Sequence, residues 1–194
     1  MLHGVDVSSY DSSFDVDGLA FVFVKATEGR GYINPRRADQ TARAREAGCV
    51  VGFYHFLLGG RPLRPARIKA QAKYFVKHCG ARDGDILAVD WERDPKGRRA
   101  SSAQKDLFLR TVKELRPDHR VILYCNRSLW TDPGTTHDCG DGLWIADYRK
   151  AGEPLIDDAW LFHQHTSEPL DKNVAKFKSR AALKKWATGA DDEP

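Results

Sequence analysis

Short apolar runs recur along the chain, and segments with a different spacing of apolar residues separate them. Alternating or continuous apolar residues over four to eight positions predict a strand, whereas a spacing of three and four predicts an amphipathic helix. On this basis the chain has seven strand-like runs, at residues 4–7, 19–26, 49–56, 85–91, 120–125, 143–146 and 159–163.

Four segments have the pattern of helices. In the first, Asn34 is a capping residue and Pro35 occupies the first helical position, which predicts a helix that ends at Gly48. After the third predicted helix the connections are short and polar, so we expect the second half of the chain to lack full helices. The predicted helices cover residues 35–48, 65–79, about 101–116 and 179–187, and the tail 190–194 is expected to fray.

Alternation of strands and helices is typical of α/β folds. A complete eightfold β/α barrel needs roughly 250 residues, and this chain has 194. The sequence therefore predicts one domain with an incomplete, TIM-like β/α barrel, formed by residues 1–176, with a basic helix and tail at 177–194 that belong to the same domain. A flat, doubly wound sheet is the second possibility, although no glycine-rich nucleotide motif supports it.

Composition narrows the range of partners. The chain has 31 Lys and Arg against 27 Asp and Glu, a net charge of +4, which is typical of a solvated surface and also suits an anionic polymer. No dense basic cluster alternates with aromatic residues, so nucleic acid is not expected as a partner. No apolar stretch is long enough for a membrane helix, and we expect a monomer. Four cysteines without a C-x-x-C pair permit disulfides but give no zinc motif.

Two carboxylates stand at the end of the fourth strand-like run, in Val89-Asp90-Trp91-Glu92. Alternate residues of a strand share a face, so Asp90 and Glu92 point the same way. The C-terminal ends of barrel strands are where active sites lie. When two carboxylates lie close together, their repulsion raises the pKa of one of them. One group then stays protonated as an acid while the other is ionised as a base, as glycoside hydrolysis requires. The alternative is a strand that runs into an acidic, solvated turn.

Two further acids are candidates for the same site. Asp6 lies between Val5 and Val7 in the first run, on the face opposite to these apolar residues. Asp171 follows the last run, in Pro169-Leu170-Asp171. Each has a simpler explanation as a turn or capping residue, so neither is strong evidence without the pair Asp90 and Glu92.

Aromatic side chains at strand ends are candidates for sugar binding. Rings can stack on sugar faces while hydroxyl groups bond to sugar oxygens. Tyr54, His55, Tyr124 and Tyr148 occupy such positions, and Gln164 lies near the end of the last run. Packing in the core is the alternative. No H-E-x-x-H spacing is present, so neither a metal nor another cofactor is expected.

Together these segments resemble the glycoside hydrolase family 25 lysozymes. Six segments carry the resemblance, in the family's order: Gly4-Val5-Asp6-Val7-Ser8-Ser9-Tyr10, Phe23-Val24-Lys25-Ala26-Thr27-Glu28-Gly29 with Tyr32, Gly52-Phe53-Tyr54-His55-Phe56, Asp90-Trp91-Glu92, Leu143-Trp144-Ile145-Ala146 with Tyr148, and Leu170-Asp171-Lys172-Asn173. They extend over about residues 3 to 175.

The resemblance implies an incomplete β/α barrel that hydrolyses the β-1,4 bond between N-acetylmuramic acid and N-acetylglucosamine in bacterial peptidoglycan. It makes Glu92 the general acid and Asp90 its neighbour, which tunes that acid and also stabilises the oxocarbenium-like transition state or orients the substrate's acetamido group. Asp6 and Asp171 complete the acidic cleft. The nucleophile stays open between the substrate's acetamido oxygen, a carboxylate and an activated water. It further implies an enzyme that acts on the cell wall, either a phage endolysin made in the host cytoplasm or a mature secreted protein.

The sequence departs from the family in two places. The family usually has a W-Q-Y-T-like stretch where this chain has His163-Gln164-His165-Thr166. Two histidines at the edge of the cleft predict an activity that varies near pH 6 to 7, because free histidine titrates at about 6.5. Trp91 stands where a smaller aliphatic residue is usual, and we expect it to pack outward beneath a helix.

Two other functions remain possible from the sequence. The first is a catalytically silent domain that binds peptidoglycan or chitin on the same scaffold. The second is a metal-dependent barrel hydrolase with Asp6, Asp90 and Glu92 as ligands, which loss of activity in EDTA would reveal.

Overall fold

The computed structural model describes residues 1–59 and 64–189, so the predicted fraying of 190–194 lies outside the described residues. The described chain contains nine strands and five helices. In chain order they are β1 (Leu2–Val7), β2 (Phe21–Glu28), β3 (Tyr32–Ile33), α1 (Arg37–Glu46), β4 (Val50–Phe56), α2 (Pro65–His78), β5 (Ile86–Asp90), α3 (Ser102–Leu115), β6 (Val121–Asn126), α4 (Arg127–Trp130), β7 (Leu143–Ala146), β8 (Phe162–Thr166), β9 (Lys172–Ala175) and α5 (Arg180–Ala187).

Eight of these strands close into a barrel. Their order is β1-β9-β8-β7-β6-β5-β4-β2, and β1 pairs with β2 to complete the ring, while β3 is an antiparallel addition to β2. Neighbouring strands are parallel except at β9, which is antiparallel to both β8 and β1. Closure confirms the predicted TIM-like barrel and excludes the flat, doubly wound sheet.

The helices confirm that the second half of the barrel is trimmed. Within the described ranges, only the four-residue α4 lies between β6 and β7, and no helix lies between β7 and β8. The start predicted for α1 was wrong by two residues. Asn34 caps a turn instead, since its Oδ1 accepts from the backbone N of Arg36. The last predicted run was displaced, because β8 begins at Phe162, and β9 was not predicted.

The interior of the barrel is apolar over most of its length. Alternate residues of the strands point inward, and Phe23 stacks on Trp144 there, with ring centroids 4.3 Å apart. Helix α5 closes the N-terminal end, where Leu183 and Trp186 join the same buried cluster. The Nε of Arg120 donates to the carbonyl of Trp186 at 2.9 Å, which ties α5 to the chain just before β6.

The outer faces of the strands pack against the helices in a second cluster, which includes Phe53, Phe75 and Phe108. Trp91 belongs to this outer cluster and is fully buried, and its indole N–H donates to the carbonyl of Ala100 at 2.8 Å. The expectation that Trp91 packs outward is therefore confirmed. All four cysteines are free thiols. None of the helices described is long and apolar enough to span a bilayer.

Candidate active site

Asp90 and Glu92 lie at the C-terminal end of β5, on the inner face of the barrel. Asp90 is 5% exposed and ends the strand, whereas Glu92 follows it and is only partly buried. The buried Oδ1 of Asp90 has no hydrogen-bond partner among the described residues. Both carboxyl groups line one cavity of about 160 Å³ that opens at this end of the barrel. The predicted acid pair is thus brought together in a cleft.

Burial and mutual repulsion shift the pKa values of this pair. Burial raises the pKa of Asp90 well above its usual range, and the charge of Glu92 raises it further. The pKa of Glu92 is also raised, mainly by burial, although the Lys25 ammonium and a hydrogen bond with Asp90 oppose the shift. Two coupled carboxyl groups of this kind retain a proton to a higher pH than a solvated acid does.

Asp6 lies at the inner face of β1 and is held by two side-chain amides. Its Oδ1 accepts from Nε2 of Gln164 at 2.9 Å and from Nδ2 of Asn173 at 2.7 Å. Burial raises the pKa of Asp6 well above its usual range, and the charge of Asp171 adds to this, while the two amide bonds lower it. The amides therefore fix the carboxyl group in place at the cleft wall.

Asp171 lies across the barrel from Glu92. Asp171 immediately precedes β9, and β9 and β5 are four strands apart in the ring of eight, so the two acids are on opposite walls. Burial raises the pKa of Asp171 to about 6, with a further contribution from the charge of Asp11. The cleft thus has a carboxyl pair on one wall and a second pair, Asp6 and Asp171, on the other.

Aromatic residues line the cleft between these walls. The hydroxyl groups of Tyr124 and Tyr148 donate to Oε1 of Gln164 at 3.0 and 3.3 Å. Trp144 forms the floor, edge-on to Tyr124, and Tyr54 also borders the cavity. Tyr148 is 60% exposed, so its ring is available at the rim. The structure therefore brings all four acids, the three tyrosines and Gln164 to one site.

Three residues at the site were not among the predicted site residues. Trp144 donates its indole N–H to Oδ1 of Asn173 at 2.7 Å, and Asn173 in turn holds Asp6. Lys25 lies on β2 beside the acid pair, where it forms an ion pair with Glu28 at 2.8 Å. Strand alternation could have found Asn173, because it lies two residues after Asp171. In the same way, Lys25 lies two residues after the inward-pointing Phe23 on β2, so strand alternation also places it on the inner face.

His55 does not belong to the cleft, and its predicted role in substrate binding was wrong. Its side chain is fully buried on the outer face of β4, where it stacks on Phe108 at 4.9 Å between ring centroids. Its ring nitrogens bond to Thr27 and Gln71, and burial lowers its pKa to about 3. Because Tyr54 points inward, the next residue along the strand must point outward.

The two histidines that flank Gln164 also point away from the cleft. The His163 ring is buried beside Trp160 and bonds to the backbone of Asp147 and Gly152. Burial lowers the pKa of both His163 and His165 below the usual histidine value. The expectation of histidine titration at the cleft near pH 6 to 7 is therefore corrected, since neither imidazole lines the site.

No three histidine, cysteine, aspartate or glutamate side chains in the described ranges converge closely enough to hold a metal ion. Asp6, Asp90 and Glu92 border one cavity but do not form such a group. The cleft instead has acids that retain protons, amides that orient them and rings that can pack on a sugar. This arrangement is suited to acid-assisted cleavage of a polysaccharide.

Comparisons with known proteins agree with this chemistry. Residues 5–174 match the family described as Glycosyl hydrolases family 25. The chain is 37% identical to N,O-diacetylmuramidase from Chalaropsis sp, over 67% of this chain and 68% of that one. It is 28% identical to Lysozyme M1 from Streptomyces globisporus, over 93% and 69%. A family GH25 lysozyme from Aspergillus fumigatus has the same fold, with a TM-score of 0.81, 24% identity and coverage of 97% and 99%.

Proposed function

The chain belongs to glycosyl hydrolases family 25 and hydrolyses peptidoglycan, and from this premise we propose that Glu92 is the general acid of a muramidase. The bond cleaved is the β-1,4 linkage between N-acetylmuramic acid and N-acetylglucosamine. The glycosidic C–O bond breaks as Glu92 gives its proton to the leaving oxygen. Water then supplies the hydroxyl group of the new reducing end, and the other proton of that water restores the acid form of Glu92. The observation that carries the assignment is the coupled pair Asp90 and Glu92 at the end of β5.

Exposure supports Glu92 over Asp90 as the proton donor. Glu92 is only partly buried and therefore reaches a substrate oxygen, whereas Asp90 is 5% exposed and lies behind it. A sugar bound over the pair excludes water and favours the neutral form of the acid. The two carboxyl groups share a proton at a pH at which a solvated acid has lost its own, and Glu92 is the member of the pair that the substrate reaches. Lys25 limits this effect, because its ammonium lowers the pKa of both acids.

Asp6 and Asp171 act on the opposite wall of the cleft. Positive charge develops on the sugar ring as the leaving oxygen departs, in an oxocarbenium-like transition state. Carboxylates held in a water-poor site stabilise such charge more than they would in solution. Gln164 and Asn173 hold Asp6 at a fixed position for this role. Tyr54, Tyr124 and Tyr148 bind the sugar rings.

The test is a digest of purified peptidoglycan, reduced with borohydride and analysed by mass spectrometry. We expect new muramitol ends from the native protein and a loss of about 10²- to 10⁴-fold in their rate of formation for Glu92→Gln, the usual range for a general acid. Glu114→Gln removes an exposed carboxylate from α3 and is the matched control. Glucosaminitol ends would identify a different bond, and full activity in Glu92→Gln would refute the assignment.

We also propose the setting and extent of the enzyme. It acts as a monomer on the cell wall, outside the membrane, without a cofactor. Residues 177–189 belong to the catalytic domain, as the packing of Leu183 and Trp186 against the barrel interior supports. The alternative function is a catalytically inactive domain that binds peptidoglycan. In that case the native protein would bind peptidoglycan but would release no new reducing ends from it.

A further inference from the structure

A second cavity lies at the same end of the barrel as the acids. Its volume is about 210 Å³, and it is bounded by the loops that follow β2 and β5, by Leu58 and Gly59 after β4, and by the first turn of α2. The wall residue Asp94 comes two positions after Glu92, and Gly29 directly follows Glu28. Four arginines line this cavity, which we call the arginine pocket: Arg30, Arg64, Arg67 and Arg98.

The charge of the arginine pocket is largely uncompensated. Arg98 forms an ion pair with Asp94 at 2.7 Å. Across the part of the chain that the structure describes, Arg30, Arg64 and Arg67 form no ion pair with a carboxylate, although all three are exposed at the pocket. Four guanidinium groups around one aspartate leave an excess of positive charge at a concave surface, which favours a bound anion.

Buried contacts fix the shape of this pocket. The Gln71 side chain accepts from the backbone N of Leu58 at 3.0 Å and donates to its carbonyl at 2.8 Å. Gly59 lies directly against the backbone of Arg99 and Ala100, where a Cβ atom would collide. The backbone at Gly59 therefore packs directly against the loop after β5. Backbone contacts, and not only side chains, define this wall of the cavity.

The start of α2 adds to the attraction for an anion. Its N-cap residue, Arg64, makes no side-chain capping bond, and its first turn contains no acidic residue. The N-terminus of a helix carries a partial positive charge that acidic side chains usually offset. Here Arg64 and Arg67 increase that charge instead, so the pocket is suited to a ligand that brings its own negative group.

We propose that the arginine pocket binds a carboxylate of the stem peptide of peptidoglycan, and this inference rests on the proposed function. The stem peptide is joined to the lactyl group of muramic acid, the sugar on one side of the scissile bond. The arginine pocket shares the chain after β5 with Glu92, so a peptide carried by this sugar has the pocket beside it. Arginine suits this task because its planar group binds a carboxylate through two parallel hydrogen bonds.

The experiment compares kinetics on two substrates for the double variant Arg64→Gln/Arg67→Gln. One substrate is glycan strands with their stem peptides, and the other is the same strands after an amidase has removed the peptides. We expect KM for the first to rise about fivefold, with kcat unchanged, and the rise to shrink with added salt. On stripped strands the double variant equals the native protein. Arg110 is an exposed arginine on α3 that does not line the pocket, and Arg110→Gln should leave the kinetics on both substrates unchanged.

A binding measurement separates this inference from the proposed function. Calorimetry measures the affinity of the full chain for a soluble disaccharide that carries its stem peptide, which is the product of muramidase cleavage. Weaker binding in the double variant supports the pocket even if no cleavage occurs in any variant. Equal binding, or an equal loss on stripped strands, overturns it. A loss that disappears only after wall phosphodiesters are removed also overturns it, in favour of a phosphate ligand.

Discussion

The two ends of the barrel interior differ sharply, although the same strands build both. At the N-terminal end the interior is apolar, and Leu183 and Trp186 of α5 complete it. At the C-terminal end the inward positions carry Asp6 and Asp90, each 5% exposed, with Glu92 and Asp171 beside them. Apolar burial stabilises the first end, whereas buried acids with raised pKa values destabilise the second. We infer that apolar burial at the closed end offsets the destabilisation caused by the buried acids at the open end.

The strongest test of this comparison is removal of an apolar side chain from the closed end. Leu183→Ala should lower the free energy of unfolding by about 3 kcal/mol, because the Leu183 side chain is fully buried and its loss leaves a cavity. Urea unfolding measures this change. Activity per folded molecule at 25 °C should stay within twofold of the native value, since α5 lies at the end opposite to the acids.

The matched control is Leu155→Ala. Leu155 is 59% exposed, so the same deletion should change the free energy of unfolding by less than about 0.5 kcal/mol. Equal losses in the two variants would show that burial of α5 contributes no special stability. A large loss of activity in folded Leu183→Ala would show that the two ends are coupled.

The second test removes charge from the open end. Burial raises the pKa of Asp171 from 3.8 to about 6. Below pH 3.8 the carboxyl group is protonated in both the folded and the unfolded chain. As the pH rises from 3.8 to 6, the group ionises in the unfolded chain before it does in the folded protein, so stability is lost over this range and the loss is complete above pH 6. Asp171→Asn abolishes this loss, so at pH 7.5 the variant should be more stable than the native protein. We expect a gain of about 1 kcal/mol in the free energy of unfolding, which is reduced because the group is partly exposed to solvent.

Thermal unfolding at two pH values measures this effect. The midpoint of Asp171→Asn should exceed that of the native protein at pH 7.5 and equal it at pH 3. Activity should fall at the same time, because the variant lacks a carboxylate on one wall of the cleft. A lower midpoint at pH 7.5 would show that the open end does not destabilise the fold.

Strand alternation explains how much of this site could be predicted from the sequence. Asp90 and Glu92 follow a continuous apolar run, so their common face was evident. His55 was misplaced because its aromatic character was given more weight than its position next to Tyr54. The placement of Asn173 was missed because β9 has only four residues and follows a turn that contains Pro169. The pattern also predicted a barrel, but the order of the strands depends on long-range pairing that no local pattern contains.

The arginine pocket was not predicted at all, for a related reason. Arg30, Arg64 and Arg98 follow β2, β4 and β5 at different distances along the chain, and only barrel closure brings these loops together. The chain has 31 Lys and Arg residues, and nothing in the sequence distinguishes the arginines of the pocket from the others. A cavity between loops is therefore a property of the tertiary fold, whereas an acid pair on one strand is a property of local structure.

The smallest expected effect concerns the outer face at the open end. His165→Tyr restores an aromatic residue that the family usually has, and it changes a side chain that points away from Gln164 and the acids. We expect the pH–rate profile between pH 6 and 7 to stay the same, because burial lowers the pKa of His165 and the imidazole does not line the cleft. The measurement is kcat/KM on peptidoglycan at several pH values at constant ionic strength. A profile that loses an inflection near pH 6.5 in the variant would show that charge on the outer face of β8 reaches the acids, and the division between the two faces of the strand would then fail.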